Sequence, residues 1–239
     1  MISTSFDEPA ARAQAPSAGR RFWRWLKELL IVVVSALVLS LILKTFFIQS
    51  FWIPSSSMED TLQEGDRILV TKWRPGPLEL RRGDVVVFKD PGNWLNGVVQ
   101  PEPTGLAKIS NDVLTFTGLL PEDSGEHLVK RVVGLPGDTV VCCDADGYLT
   151  VNDQRVVEPY LKPGVEPSTT EFSILVPDGY LWVMGDNRPN SADSRAHTGE
   201  PGGGTIPLDN VVGTAFVTVW PLESWRGLGN PFGDQSEDN

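Results

Sequence analysis

Cysteine and histidine are the scarcest reactive side chains in this chain. Its 239 residues hold two cysteines, side by side at Cys142 and Cys143, and two histidines, His127 and His197. Bridging neighbours strains the peptide between them, so an ordinary disulfide framework is excluded. A strained vicinal bridge and two buried thiols both stay open. A two-thiol metal site would need further ligands and neither histidine lies near in sequence, so no metal is expected. Positive charge is also short, with 20 Lys and Arg against 31 Asp and Glu and a formal charge of −11. Phosphate neutralisation needs clustered Lys and Arg, which argues against a nucleic-acid partner. Outside one N-terminal stretch there is no strong helical period. The 41% hydrophobic content excludes wholesale disorder.

The charge that is present is unevenly spread. Residues 1–50 carry Arg12, Arg20, Arg21, Arg24, Lys27 and Lys44 against Asp7, Glu8 and Glu28, a balance of +3, and the remainder carries −14. A basic N-terminus on an acidic body points to two compartments. Residues 29–48 read LLIVVVSALVLSLILKTFFI, with Lys44 the single charge. An apolar helix of about 20 residues matches the ~30 Å hydrocarbon core of a bilayer. Arg20, Arg21, Arg24 and Lys27 precede it, and positive flanks stay cytoplasmic. Phe22, Trp23 and Trp25 lie at one end and Phe46, Phe47, Phe51 and Trp52 at the other, as interfacial aromatics do. A buried core helix would seldom run so long without polar interruption. A cleavable secretory signal needs a small-x-small site after the run, and Ile48 and Ser50 make a poor one. The expectation is one uncleaved anchor in a lipid bilayer, with the N-terminus cytoplasmic and the body extracytoplasmic.

Residues 1–19 are rich in Ala, Ser and Pro and read as a disordered tail, part of a cytoplasmic segment 1–28. Beyond the anchor, runs dense in Val and Ile recur at 67–72, 84–89, 128–133, 139–142, 180–184 and 211–220. Gly, Pro or Asp bounds them, which is how strands read. Gly65-Asp66, Gly83-Asp84 and Gly137-Asp138 each introduce a run and Gly185-Asp186 closes one. Gly supplies unusual φ and Asp can bond the amides that follow, so the pair is turn chemistry. The fold class is therefore mainly β: an antiparallel β-rich body, 49–221, preceded by one transmembrane helix. Residues 90–127, with four prolines, read as an excursion from that body, and 222–239 as a mobile tail.

Three segments stand above the background. IPSSSMEDTL occupies 53–62, directly beyond the anchor. LVKRVVGLPGD occupies 128–138, a strand followed by a Pro-Gly turn. GDNRPNSADSR occupies 185–195, a polar loop dense in Asp, Arg and Ser. Lys130 shares its strand face with Leu128 and Val132, and Arg131 shares the other with Val129 and Val133. Alternation alone does not say which cation is buried. Chemistry separates them: a guanidinium is never deprotonated, whereas a desolvated lysine loses pKa units and becomes a base.

Together these segments resemble bacterial signal peptidase I, the membrane-anchored serine–lysine endopeptidases that remove signal peptides from exported preproteins. The resemblance takes in most of residues 25–221, with the three motifs in the family's order. It implies Ser57 as nucleophile and Lys130 as general base, with no cofactor and exported preproteins as partners. Ser55 and the Ser57 amide match the oxyanion hole, and Ser191 the serine that orients the lysine amine. Arg131, Asp186, Asp193 and Arg195 match a supporting polar network. Phe51, Ile53, Pro54, Met58, Leu62, Leu128 and Val129 fall on positions that wall the substrate pockets. The chain departs from the family at Asp60, where a proline is usual, and at Pro189, where an aspartate is common. Both departures bear on local backbone rather than on a catalytic group.

Other readings make different demands. A Ser-His-Asp hydrolase would need His127 or His197 at the serine. Self-cleaving Ser-Lys repressors lack an anchor and carry a DNA-binding domain. An anchored envelope binding protein of the same fold would lack activity altogether.

Overall fold

The computed structural model describes residues 18–92, 94–95, 105 and 126–232. The tail before residue 18, most of the 90–127 excursion and residues 233–239 lie outside the described residues. Among the described residues one α-helix, α1, Ala18–Phe46, holds a stretch, Arg21–Leu43, long and apolar enough to cross a bilayer. It begins earlier than residue 29 and ends before Ile48, which already belongs to a strand.

Among the described residues of the body, every strand pairing is antiparallel. Its strands are β1 (Ile48–Trp52), β2 (Arg67–Thr71), β3 (Val85–Lys89), β4 (His127–Gly134), β5 (Thr139–Cys142), β6 (Thr150–Val151), β7 (Gln154–Arg155), β8 (Phe172–Leu175), β9 (Tyr180–Met184), β10 (Ile206–Pro207), β11 (Val211–Trp220) and β12 (Arg226–Gly227). The larger sheet runs β1-β2-β11-β3-β4-β9-β10 with β12 on β11, and the smaller runs β7-β6-β5-β8. Every run read as a strand from the sequence is one, to within a residue at each end.

Three apolar clusters hold this arrangement. Phe51, Ile53, Met58, Leu62, Ile68, Val70, Val85, Val87, Val129 and Ala215 form one. Val86, Phe88, Trp94, Leu128, Val132, Leu181 and Val183 belong to a second. The third joins the sheets, packing Val133, Trp182 and Met184 against Val140, Leu149, Val151 and Val176. Strand β4 is thus covered on both faces, and seven of its eight residues, Lys130 and Arg131 among them, are buried. That answers the question alternation left open: both cations are inside.

The Gly-Asp turns have one shared geometry, and it runs opposite to the expectation. Asp66, Asp84 and Asp138 accept not from the amides that follow but from those of Gln63, Arg81 and Leu135, three residues before, at 2.8–2.9 Å. Each aspartate amide returns a bond to the same residue's carbonyl. The intervening glycines lie at φ +92, +89 and +84, a region closed to most side chains.

The segment after Pro221 also departs from the mobile tail expected of it. Arg226 and Gly227 pair with Thr218 and Val217, and the Leu228 amide donates to the Phe216 carbonyl at 2.8 Å. Cys142 and Cys143 are bonded to each other as a vicinal disulfide.

Candidate active site

Ser57 lies in a short 3-10 turn, Ser56–Met58, between β1 and β2. Met58, buried in the first apolar cluster, fixes the turn from below. The loop after β9 fixes it from the side. The Asn187 amide donates to the Ser57 carbonyl at 3.1 Å, and Asn187 Nδ2 to the Ser56 carbonyl at 2.9 Å. Asn190 Nδ2 donates to Ser56 Oγ at 2.9 Å. The first and third motifs are therefore one hydrogen-bonded unit.

Lys130 comes from the middle of β4, opposite Val86 of β3. Its Nζ donates to Ser57 Oγ at 2.7 Å and to the Val129 carbonyl at 3.1 Å. The side chain is 3% exposed. Burial lowers the amine's pKa from 10.5 to about 8, with the charges of Asp193 and Asp186 acting the other way. Ser55 Oγ stands 3.2 Å from Ser57 Oγ. A hydroxyl and an amine of depressed basicity, in contact and shielded from water, can exchange a proton near neutral pH.

Around this pair lie two buried ion pairs. Arg131 grips Asp186 with its fork, Nε to Oδ1 at 2.8 Å and Nη2 to Oδ2 at 2.5 Å. Thr61 Oγ1 donates to the same carboxylate at 2.5 Å. Asp193 accepts from Arg195 Nε and Nη2 at 2.8 Å and from the Gly185 amide at 2.9 Å. Burial alone would push the Asp193 carboxyl up, but the hydrogen bonds and charge of Arg195 outweigh it and hold the group below the ordinary carboxylate range. Gly185 has no room for a Cβ, which would meet Ser191 Oγ and the Ser57 carbonyl.

Other expected residues are placed differently. Ser191 Oγ is buried beside Gly185 but makes no hydrogen bond to Lys130, whose bonds go to Ser57 and Val129. Phe51, Ile53, Met58 and Leu62 are closed into the first cluster at 2% exposure or less, Leu128 belongs to the second, and Pro54 is exposed. Ser57 Oγ is bonded to Lys130 and Ser55 rather than to a histidine. His197 stacks on Trp94 and meets Glu200 through Nδ1. Among the described residues no three His, Cys, Asp or Glu side chains come together as a metal site.

Both departures from the family pattern have a backbone meaning. Asp60 stands at φ +84, a value proline's ring forbids and aspartate tolerates. Pro189 sits in the first turn of a 3-10 helix, Arg188–Asn190, where its missing N–H costs nothing.

Sequence reading missed Glu158 and Tyr160. Arg188 donates to both oxygens of Glu158 and to the Gly185 carbonyl, and the Tyr160 hydroxyl donates to Glu158. The Tyr160 ring faces two guanidiniums, its centroid 4.0 Å from Arg131 and 5.9 Å from Arg188. Burial and the Glu158 charge raise the phenol's pKa well above its ordinary value. No local pattern marks 158–160, since its partners come from elsewhere, Arg131 from β4 and Arg188 from the 3-10 turn after β9.

The profile of the family described as signal peptidase, peptidase S26, matches residues 23–220. This chain belongs to that family. It is 37% identical to a probable signal peptidase I of Mycobacterium leprae, over 99% of this chain and 89% of that protein. Against the signal peptidase I of Mycobacterium tuberculosis it is 39% identical, over 92% and 80% respectively. Against signal peptidase I U of Bacillus subtilis it is 33% identical, over 82% and 87%.

Proposed function

We propose that this chain is a membrane-bound serine endopeptidase that removes N-terminal signal peptides from exported preproteins after a small-x-small site. The observation that carries the reading is the 2.7 Å hydrogen bond between Lys130 Nζ and Ser57 Oγ, with the amine's basicity depressed to about 8. Neutral Lys130 takes the Ser57 proton as Oγ attacks the scissile carbonyl. The resulting ammonium returns that proton to the leaving amine, and water, deprotonated by the same lysine, clears the acyl-enzyme. The Ser57 amide and the Ser55 hydroxyl are the donors assigned to the oxyanion, and removing one donor of this kind costs about 3–4 kcal/mol of transition-state stabilisation.

Asp186, Arg131, Asp193 and Arg195 hold these groups in place without touching substrate. Ser191 is assigned to the lysine amine when substrate is bound, since apo catalytic contacts are often longer than working ones. Phe51, Ile53, Met58, Leu62 and Val129 form the rigid backing of the small pockets, with Pro54 and Leu128 at their margins. A small-x-small site is selected by walls that exclude bulk. Helix α1 is the anchor, its N-terminal side in the cytoplasm and the body outside, so enzyme and preprotein meet on one membrane at raised effective concentration.

The test is cleavage of a preprotein by the full chain in membranes. Wild type is expected to release the mature protein, and Ser57→Ala and Lys130→Ala to leave it intact. Activity that survives Lys130→Ala but is lost in His127→Ala or His197→Ala would overturn the assignment.

A further inference from the structure

Three groups surround the Arg131 guanidinium on the sides that Asp186 leaves open. Its Nη1 donates to the Gly83 carbonyl at 2.7 Å, its Nη2 to Thr61 Oγ1 at 3.3 Å, and its plane lies over the Tyr160 ring. The segment after β11 reaches the residue that supplies each of the three groups, or its immediate chain neighbours. Arg226 Nη2 donates to the Thr61 carbonyl at 2.6 Å. Asn230 Nδ2 donates to the Arg82 carbonyl at 2.8 Å and to Asp84 Oδ1 at 2.9 Å, bracketing Gly83. Phe232, its amide held by Asn230 Oδ1, meets the Tyr160 ring edge-on at 6.2 Å between centroids. The fit at Gly83 is close: a Cβ there would collide with Phe232 and Asn230.

We propose that residues 226–232 are a positioning strap for the Arg131–Asp186 pair and, through it, for Lys130 and Ser57. The proposal rests on the Ser57–Lys130 reading above. Arg131 is the strand neighbour of Lys130, and Asp186 directly precedes Asn187, whose amide holds the Ser57 carbonyl. One ion pair therefore connects the strand carrying the base to the loop clamping the nucleophile. A single contact from this segment to one of these neighbours would be ordinary packing. Three contacts, each to a different group around one guanidinium, confine its tilt and its distance from Asp186 together. Loosening them lets the pair open, admits water beside Lys130 and leaves the Asp186 charge less neutralised. Both effects favour the ammonium, so they act in the same direction on the base.

The experiment uses the full chain in detergent, with Arg226→Ala, Asn230→Ala and Phe232→Ala, and with Phe232→Tyr as the conservative variant. The expected result is a fall in kcat of about tenfold at little change in KM, as for a sub-ångström misplacement of reacting groups. The acidic limb of the pH profile moves upward with it, and Phe232→Tyr restores both. Wild-type kcat and an unmoved limb in the variants, whatever their melting temperatures, would overturn the strap. Should Asn230→Ala fail to fold, the other two variants decide. The titration of Lys130, followed by pH-dependent reductive methylation, needs no substrate. A lysine that titrates identically in wild type and folded strap variants counts against the strap, whereas a wild type that cuts no preprotein counts only against the peptidase reading.

Discussion

The backbone amide of Asn187 donates to the carbonyl of Ser57 at 3.1 Å, so the loop after β9 holds the turn carrying the hydroxyl by its main chain. The Asn187 side chain adds a second hold, on the Ser56 carbonyl at 2.9 Å and on Glu59 Oε2 at 3.2 Å. Asn187→Ala keeps the first and deletes the second. The expected outcome is a fall of about tenfold in kcat with KM nearly unchanged, because only orientation is lost. Steady-state cleavage of a preprotein peptide measures it, and a rise confined to KM would show that Asn187 serves binding instead.

On the proposed mechanism, the depressed pKa of Lys130 sets the pH dependence. Only the neutral amine accepts the serine proton, so kcat/KM rises with pH along a limb centred near 8 and levels off above it. Lys130→Arg abolishes activity at every pH, because a guanidinium holds its proton throughout. A limb near 6.5, the ordinary histidine value, would contradict the assignment.

The same burial costs stability. In the unfolded chain Lys130 titrates near 10.5, so between pH 8 and 10.5 the unfolded state binds a proton that the native state has released. Stability from this group therefore rises with pH across that interval, and below it the full cost of the buried cation is felt. That cost is about 3 kcal/mol at pH 7, an upper figure since the bond to Ser57 offsets part of it. Lys130→Met is expected to raise the melting temperature of the inactive protein at pH 7. The advantage should vanish above pH 10, and calorimetry at the two pH values checks it.

At Asp60 the substitution that restores the family's usual residue should do harm. Asp60→Pro forces φ from +84 towards about −65 in the turn that carries Met58 and Thr61. The expected outcome is a loss of 1–3 kcal/mol or so in stability, with cleavage activity falling alongside. Asp60→Gly, which suits the same backbone, should be neutral or slightly stabilising. Chemical denaturation of both variants measures the difference, and an Asp60→Pro protein as stable as wild type would show that the turn can rearrange.

The long strands and the apolar helix were legible because each carries its own pattern. Val85–Phe88 and Tyr180–Met184 are apolar runs bounded by turn residues, and α1 holds a stretch long and apolar enough to cross a bilayer. What could not be read depends on partners remote in sequence. Thr150–Val151 and Gln154–Arg155 are two-residue strands, too short to show a period. Ile48–Trp52 continues the apolar composition of the helix before it, so β1 was read as part of the anchor and its interfacial belt. In β4 the period was present but uninformative, since a strand covered on both faces buries every position. Ser57 and Lys130 were singled out by their motifs and lie in hydrogen-bond contact, while Glu158, Tyr160, Arg226, Asn230 and Phe232 matter only through what folds against them.

β3 and β4 pair from Val85 opposite Arg131 to Lys89 opposite His127, and the Asp90 amide continues the ladder to the Glu126 carbonyl at 3.0 Å. The two ends of the long intervening segment thus meet at hairpin distance, on the strand that delivers Lys130. Closing such a loop depends on its length only logarithmically, each doubling adding about 0.6 kcal/mol. Loop-closure entropy therefore sets little penalty on the length of this segment, so long as Trp94 keeps its place in the second apolar cluster and its stack on His197. The pairing of β3 with β4 that places Lys130 against Ser57 is thus closed by its own ladder, whatever length of chain joins the two strands.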